Sequence, residues 1–333
     1  MFTSALKQAG QRVSRLDRTL LILIVLLTSV FPVELFPNAP PPPKGIDGQY
    51  SGRQGQVLLV RVPLSEEATE VKGTFLDRTI PFFREIRTGE PAGYLGLVGI
   101  DMQDTPGTYE LAVTIKNGEQ PAKHRSYHVL VTKEKFAVEH LKLPKDKVDL
   151  DDKTLARWKR EQEQVRQALA DNSALRLWHS SFVEPVNGKR TGIFGSVRIM
   201  NGQPRNPHNG EDIGAPLGTD VAATNDGVVR LTVDHVFSGR GIFVDHGLGF
   251  YSMYFHLSEI LVKDGDLVRA GQTIGKVGAT GRATGPHLHW GVKLNGARVN
   301  PYALLDLPFK NGSPPNPVGP GSQVTPEPLS VKQ

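Results

Sequence analysis

The chain has 333 residues, 38% hydrophobic and 22% charged, a balance that suits a multi-domain globular protein and excludes a polytopic membrane protein. It contains no cysteine, which excludes disulfides, thiolate metal sites, a cysteine nucleophile and a lipidated N-terminal cysteine, so any metal must be held by His, Asp or Glu. The formal net charge of +5 suits attraction to an anionic polymer. No dense basic patch with interleaved aromatics accompanies it, and nucleic acid is not expected as a partner.

Residues 1–36 begin with Lys7, Arg12, Arg15 and Arg18 and continue into an apolar run from Leu20 to Leu27, the order of an export signal. Pro32 and Glu34 interrupt the run, which is short for a span of about 20 residues. No A-x-A cleavage site is evident, so a cleaved signal peptide and an uncleaved inner-membrane anchor both fit. Basic residues stay on the cytoplasmic side, which puts the body in an extracytoplasmic, periplasmic space. Residues 37–47 carry PNAPPPP, a stiff extended spacer. The 35 Gly and 25 Pro favour turns and short strands, so the body is expected to be mainly β. Within 48–134, strand-like runs fall at Gln56–Val62, Val71–Phe75, Tyr94–Asp101, Thr108–Lys116 and Arg125–Thr132. Their spacing predicts a small β-sandwich, immunoglobulin-like, with no catalytic cluster. Within 145–175, Leu155, Trp158, Val165 and Leu169 recur at helical spacing behind Asp151 and Asp152, which predicts an amphipathic linking helix. Residues 176–308 return to strands and turns, and 309–333 read as a disordered tail.

Six of the ten histidines lie between His208 and His289. In His208-Asn209-Gly210-Glu211-Asp212, an imidazole and a carboxylate can converge on one metal if the chain turns at Asn209-Gly210. In His287-Leu288-His289, a strand would point both imidazoles to one face, which suits a metal, or a ligand beside an acid–base group. His256, in Tyr254-Phe255-His256-Leu257, adds a third element. Glu211 has the wrong spacing for an HExxH base and would face away from Asp212 in an extended chain. His246 reads as a structural hydrogen-bonding residue and His235 as incidental. Arg198 and Arg205 lie near the motif and either contact substrate or are solvated. Asp226-Gly227 and Asp264-Gly265 read as hairpin turns. The glycines from Gly275 to Gly285 lack the Gly-Lys-Ser/Thr ending of a phosphate loop.

Seven segments, FGSVR (from Phe194), HNGED, GTDVAATNDGVV (from Gly218), VDHG, YFHL, VKDGDLVRAGQTIGKVGATG (from Val262) and GPHLHWGV (from Gly285), resemble in order and spacing the LytM/lysostaphin-type zinc peptidases, the M23 family. The resemblance covers about Gly192 to Pro301. It implies an antiparallel β-sheet peptidase domain of LytM type, with Zn2+ held by His208, Asp212 and His289 and with His256 and His287 as non-ligand active-site histidines. Zinc with three protein ligands keeps a fourth position for water, lowers the pKa of that water and polarises a scissile carbonyl. His287 is assigned to take the water proton, and His256 to hydrogen-bond the developing oxyanion or the water; the two can exchange roles. Family substrates are peptides of peptidoglycan, either direct stem-peptide cross-links or glycine bridges. A zinc-dependent endopeptidase of cell-wall cross-links is therefore expected, with peptidoglycan as partner and with inner-membrane anchoring or a regulatory partner compatible. The competing reading is an autoinhibited or non-catalytic LytM-type regulator; loss of site residues would favour the non-catalytic form, and all five are present. The stretch from Val262 also resembles lipoyl-carrier hairpins, but neither Lys263 nor Lys276 sits at a tight hairpin tip.

Overall fold

Period-two alternation of apolar side chains runs through most of the chain and produces strands. The computed structural model describes residues 48–64, 66–85, 93–142, 151–170 and 173–309. The expected export segment (1–36), the spacer (37–47) and the tail from residue 310 lie outside these residues. Among the described residues, no helix is long and apolar enough to cross a membrane.

The N-terminal lobe holds β1 (Gly48–Arg53), β2 (Val57–Pro63), β3 (Glu70–Phe75), β4 (Arg78–Glu85), β5 (Gly93–Gly99), β6 (Gly107–Lys116) and β7 (Lys123–Thr132). They form one sheet in the order β1-β7-β6-β3-β4-β5-β2, with β1 parallel to β7. Val60, Val62, Phe75, Ile80, Leu111 and Val129 centre its core. The five expected strand runs coincide with β2, β3, β5, β6 and β7 to within two residues. Two strands carry no clear signal. The β1 sequence GQYSGR is polar and Gly-rich, and β4 contains Pro81, a residue that ordinarily demotes a strand.

After β8 (Val138–Leu141), helix α1 spans Asp152–Ala168. Asp151 caps it, its carboxylate accepting from the Thr154 N–H at 2.7 Å, which satisfies one of the helix's orphan donors. Val165, Ala168 and Leu169 pack on Leu231, Val233, Phe243 and Met253. Trp158 is half-buried.

The C-terminal lobe holds β9 (Lys189–Gly192), β10 (Val197–Met200), β11 (Gln203–Pro204), β12 (Gly210–Gly214), β13 (Asp220–Ala222), β14 (Gly227–His235), β15 (Gly239–Gly247), β16 (Phe250–Leu257), β17 (Glu259–Ile260), β18 (Leu267–Val268), β19 (Thr273–Lys276), β20 (His287–Leu294) and β21 (Ala297–Val299). The main sheet runs β18-β14-β15-β16-β20-β12-β9, with β21 beside β20. One face buries Ile213, Val244, Tyr254, Leu288 and Trp290 against Val221 and Ile274 of a small sheet, β13-β19-β17. The register of β14 shifts between Val229 and Leu231. Val229 therefore joins this core while Leu231 and Val233 face the helix. A third sheet, β11-β10-β8, pairs β10 in parallel with β8.

The two lobes share packing. Phe83, Leu95 and Leu97 from the first lie in one core with Trp178, Phe250, Val292, Leu294 and Val299 from the second. Beside it, the Asp101 carboxylate accepts from the Arg298 backbone N–H at 2.7 Å, Nε at 2.9 Å and Nη2 at 2.7 Å.

Candidate metal centre

Strand register assembles the site. Asp212 on β12 stands directly opposite His289 on β20, and Gly214 opposite His287. Phe255 on β16 flanks His289 from the other side, its ring stacked at 5.6 Å. Leu288 and Trp290 point the opposite way, into the core. The expected pairing of His287 and His289 on one strand face is thus what the backbone delivers.

His208 arrives without the anticipated turn at Asn209-Gly210. Its N–H donates to the Ser196 carbonyl at 2.9 Å and its carbonyl accepts from the Gly195 N–H at 2.7 Å, while Gly210 is already the first residue of β12. In an extended chain residues 208, 210 and 212 share a face. Gly210 is the gap between the two ligand-type residues: a Cβ there would lie 2.6 Å from His289 Nε2 and 2.5 Å from the Trp290 carbonyl oxygen.

The result is a triangle. His208 Nε2 lies 3.0 Å from Asp212 Oδ1, His289 Nδ1 lies 2.9 Å from the same oxygen, and the two nitrogens are 3.0 Å apart. Ligand atoms 2.0–2.1 Å from one tetrahedral zinc sit roughly 3.3 Å from each other, so the triangle has the size of a metal face. His208 Nδ1–H donates to the Ile193 carbonyl at 3.1 Å. A neutral His208 therefore turns its Nε2 lone pair on Asp212 Oδ1, and two acceptors repel unless a cation lies between them. Burial works to raise the Asp212 carboxyl. Hydrogen bonds and positive charge from His208 and His289 outweigh it and hold the group well below the ordinary carboxylate range. Burial pushes the His289 imidazole down to about 4. A metal cation among these atoms would satisfy the lone pairs that face one another.

The second carboxylate oxygen has its own partner. Arg198 Nη2 donates to Asp212 Oδ2 at 2.8 Å, and Arg198 Nε donates to Glu139 on β8 at 3.3 Å. Oδ1 alone is left facing the two imidazoles. Glu211 is fully buried on the opposite face and holds Arg190, with Nε at 3.0 Å, so it takes no part.

His256 and His287 flank the triangle, their rings 4.7 Å apart. His287 Nδ1–H donates to the Gly285 carbonyl at 2.8 Å, and its Nε2 lies 3.8 Å from Asp212 Oδ1. His256 Nδ1–H donates to the Thr280 carbonyl at 2.8 Å. Strand alternation would send His256 to the face opposite Phe255. A left-handed backbone at His256, φ 63°, breaks the alternation and brings the ring within 6.1 Å of His289. Such a conformation costs a non-glycine residue about 1–3 kcal/mol and tends to persist at functional sites. Burial, then the charges of His289 and His287, push the His256 imidazole down to about 3.

His246 sits elsewhere, in a buried chain of hydroxyls. Its Nδ1–H donates to the Asp226 carbonyl at 2.7 Å, so Ser252 must donate to Nε2 at 2.7 Å. Tyr254 then donates to Ser252 at 2.9 Å and accepts from the Thr224 N–H at 2.7 Å. His235 contacts Gln164 at 3.1 Å, away from the triangle. The carbonyls of Ile193, Thr280 and Gly285 that fix the three rings left no mark in the sequence, because any residue supplies a carbonyl. Arg198 was visible only as a basic residue near the motif.

A model described as Peptidase family M23 matches residues 206–301, the stretch that holds all five of these side chains. The chain is 48% identical over 94 residues to the peptidoglycan DD-endopeptidase ShyA of Vibrio cholerae, a match covering 28% of this chain and 22% of that protein. It is 42% identical over 97 residues to the DD-carboxypeptidase/endopeptidase Mpg of Neisseria meningitidis, covering 29% of this chain and 22% of the relative. The chain thus spans about a quarter of the length of these relatives. Similarity to a crystal structure of an M23 peptidase from Pseudomonas aeruginosa is broader, with 31% identity, a TM-score of 0.56, and coverage of 74% of this chain and 92% of that one. Because that likeness runs across both lobes and not through the motifs alone, the chain belongs to peptidase family M23.

Proposed function

We propose that the protein is a zinc-dependent endopeptidase that hydrolyses peptide cross-links of peptidoglycan outside the cytoplasm. The observation that carries the reading is the triangle of His208, Asp212 and His289 atoms 2.9–3.0 Å apart, flanked by two histidines whose Nδ1–H groups are already spent on carbonyls. The named relatives support the substrate, and the basic-then-apolar start at residues 1–36 supports export.

His208, Asp212 and His289 would hold Zn2+, a fit for a donor set of two imidazoles and one carboxylate without thiolate. Bound there, the metal would supply Lewis acidity and an activated water. The chain's own residues do the rest. His287 directs Nε2 toward the triangle as a lone pair and serves as general base. His256 is held neutral with its lone pair also at Nε2. It therefore accepts from the attacking water and orients it, and it donates to an oxyanion only after taking a proton. Arg198 keeps Asp212 oriented through Oδ2.

The test is digestion of purified peptidoglycan by the full chain, with products identified by mass spectrometry and with chelator, zinc add-back and His287→Ala as controls. Metal-dependent release of uncross-linked muropeptides, lost in the variant, is the expected result. No release from protein carrying one zinc would overturn it in favour of a non-catalytic or occluded wall-binding protein.

A further inference from the structure

Among the described residues of α1, the one that is buried is an acid, Glu161. The apolar contacts of the helix with the sheet come later, from Val165, Ala168 and Leu169. A carboxylate taken out of water must be paired and hydrogen-bonded. Arg157 Nε donates to Glu161 Oε1 at 2.7 Å, and the Val236 backbone N–H donates to both carboxylate oxygens at 3.1 Å. Two neighbours fasten the same stretch. Arg157 Nη2 donates to the Asp234 carbonyl at 2.8 Å, and Gln164 Oε1 lies 3.1 Å from His235 Nε2. The helix thus grips three successive residues where β14 gives way to β15.

The other side of this turn carries His256. The Ser238 carbonyl accepts from the His256 backbone N–H at 2.9 Å. Arg240 stands opposite Leu257 and Ile242 opposite Tyr254, so Gly241 faces both Phe255 and His256, a bulge at the residue whose backbone is left-handed. The turn also meets the loop between β19 and β20, which the His287 N–H closes by donating to the Gly278 carbonyl at 3.1 Å. The Phe237 carbonyl accepts from the Arg282 N–H at 2.8 Å. The Arg240 N–H donates to Thr280 Oγ1 at 3.0 Å, and the Thr280 carbonyl is the one that fixes the His256 ring. The fit is close: a Cβ on Gly239 would lie 2.3 Å from Thr280 Oγ1, and one on Gly281 2.5 Å from the Phe237 carbonyl oxygen. A displacement at Val236 is therefore passed to both the backbone and the ring of His256.

We infer that Glu161 is a positioning residue for His256, acting through the Val236–Gly239 turn. The inference rests on the peptidase reading, in which His256 orients the attacking water, and adds to it a residue on the linking helix, outside the metal triangle.

The test compares the zinc-loaded full chain with Glu161→Ala, Glu161→Gln and Leu169→Ala, the last loosening the helix at its far end without touching the turn. Misplacing a water-orienting group should lower kcat in Glu161→Ala by about 10–100-fold with KM nearly unchanged. The zinc Kd should stay within about twofold, since the ligands do not share the turn. Glu161→Gln keeps an acceptor for the Val236 N–H and should recover part of kcat, while Leu169→Ala should retain it. Nitrogen-NMR shifts of His256 give a readout without cleavage: the Nδ1–H tautomer in wild type, and a mixture of both tautomers in Glu161→Ala. The tautomer change in a wild type that cleaves nothing would sink the endopeptidase reading and leave this inference standing. An unmixed Nδ1–H tautomer in folded Glu161→Ala, mixed tautomers already in wild type, or a kcat loss matched by Leu169→Ala would overturn it.

Discussion

Arg198→Ala tests whether the metal triangle depends on its outer partner. The guanidinium lies 2.8 Å from Asp212 Oδ2, and the two side chains are only 21% and 13% exposed. A hydrogen bond to a charged group is worth about 1.5–3 kcal/mol, and loss of a group that orients a metal ligand typically costs 10–100-fold in affinity. Without Arg198, Oδ2 is left partly buried and free to swing toward the metal position, so the single-oxygen geometry is no longer enforced. The zinc Kd should rise by about 10–100-fold. Arg198→Lys should fall between the two, since a point charge cannot bridge Asp212 and Glu139 as a fork does. The assay is competition against chelators of graded affinity at fixed pH and ionic strength, with the metal-free melting temperature as a control on folding. A zinc Kd within about twofold of wild type, in a folded variant, would refute the reasoning that ties Arg198 to the metal.

Three further outcomes are expected. In Gly192→Ala, the new Cβ would lie 2.3 Å from Asp212 Oδ2, so the carboxylate must rotate away; zinc stoichiometry should drop while the circular-dichroism spectrum is retained, and full zinc loading would contradict the close approach. Burial holds the His246 imidazole at about 4, below its unfolded value of about 6.5, so the unfolded chain binds more protons between these values; stability is fully present above pH 6.5 and should fall by up to ~3 kcal/mol as pH drops to 4. Urea midpoints of wild type against His246→Gln measure this, and equal acid sensitivity in both would count against it. Arg298→Ala removes the two guanidinium hydrogen bonds to the Asp101 carboxylate and keeps the one from the backbone N–H; a loss of roughly 1.5–3 kcal/mol in one cooperative calorimetric transition is expected, and two separate transitions would show that the lobes unfold independently.

Much of the site was readable because strands translate spacing into direction. His287-Leu288-His289 needed only period two to place both imidazoles together, and Leu288 duly enters the core. His256 was not readable in this way, since alternation alone puts it on the wrong face and only the left-handed backbone corrects it. The motif resemblance named it where local physics could not. Asp226-Gly227 illustrates the opposite error. The pair has hairpin chemistry, yet Gly227 opens β14, and a Cβ there would lie 2.6 Å from the Asp245 carbonyl oxygen. The glycine answers a close approach between strands, a tertiary requirement that a dipeptide cannot announce. The same holds for β4, where a tertiary sheet accommodates Pro81 that local rules would reject.

Strand β20 has a consequence for how the protein breathes. Its first half carries His287 and His289, and its second half carries Val292 and Leu294 into the core shared by both lobes. An opening motion large enough to release the His287–His289 end must therefore also disturb the packing between lobes. Amide hydrogen exchange along β20 should consequently proceed through global unfolding, while loop Gly278–His287 exchanges by small local excursions. The loop that fixes His256 and His287 can fluctuate on its own timescale, whereas strand β20 keeps time with the whole molecule.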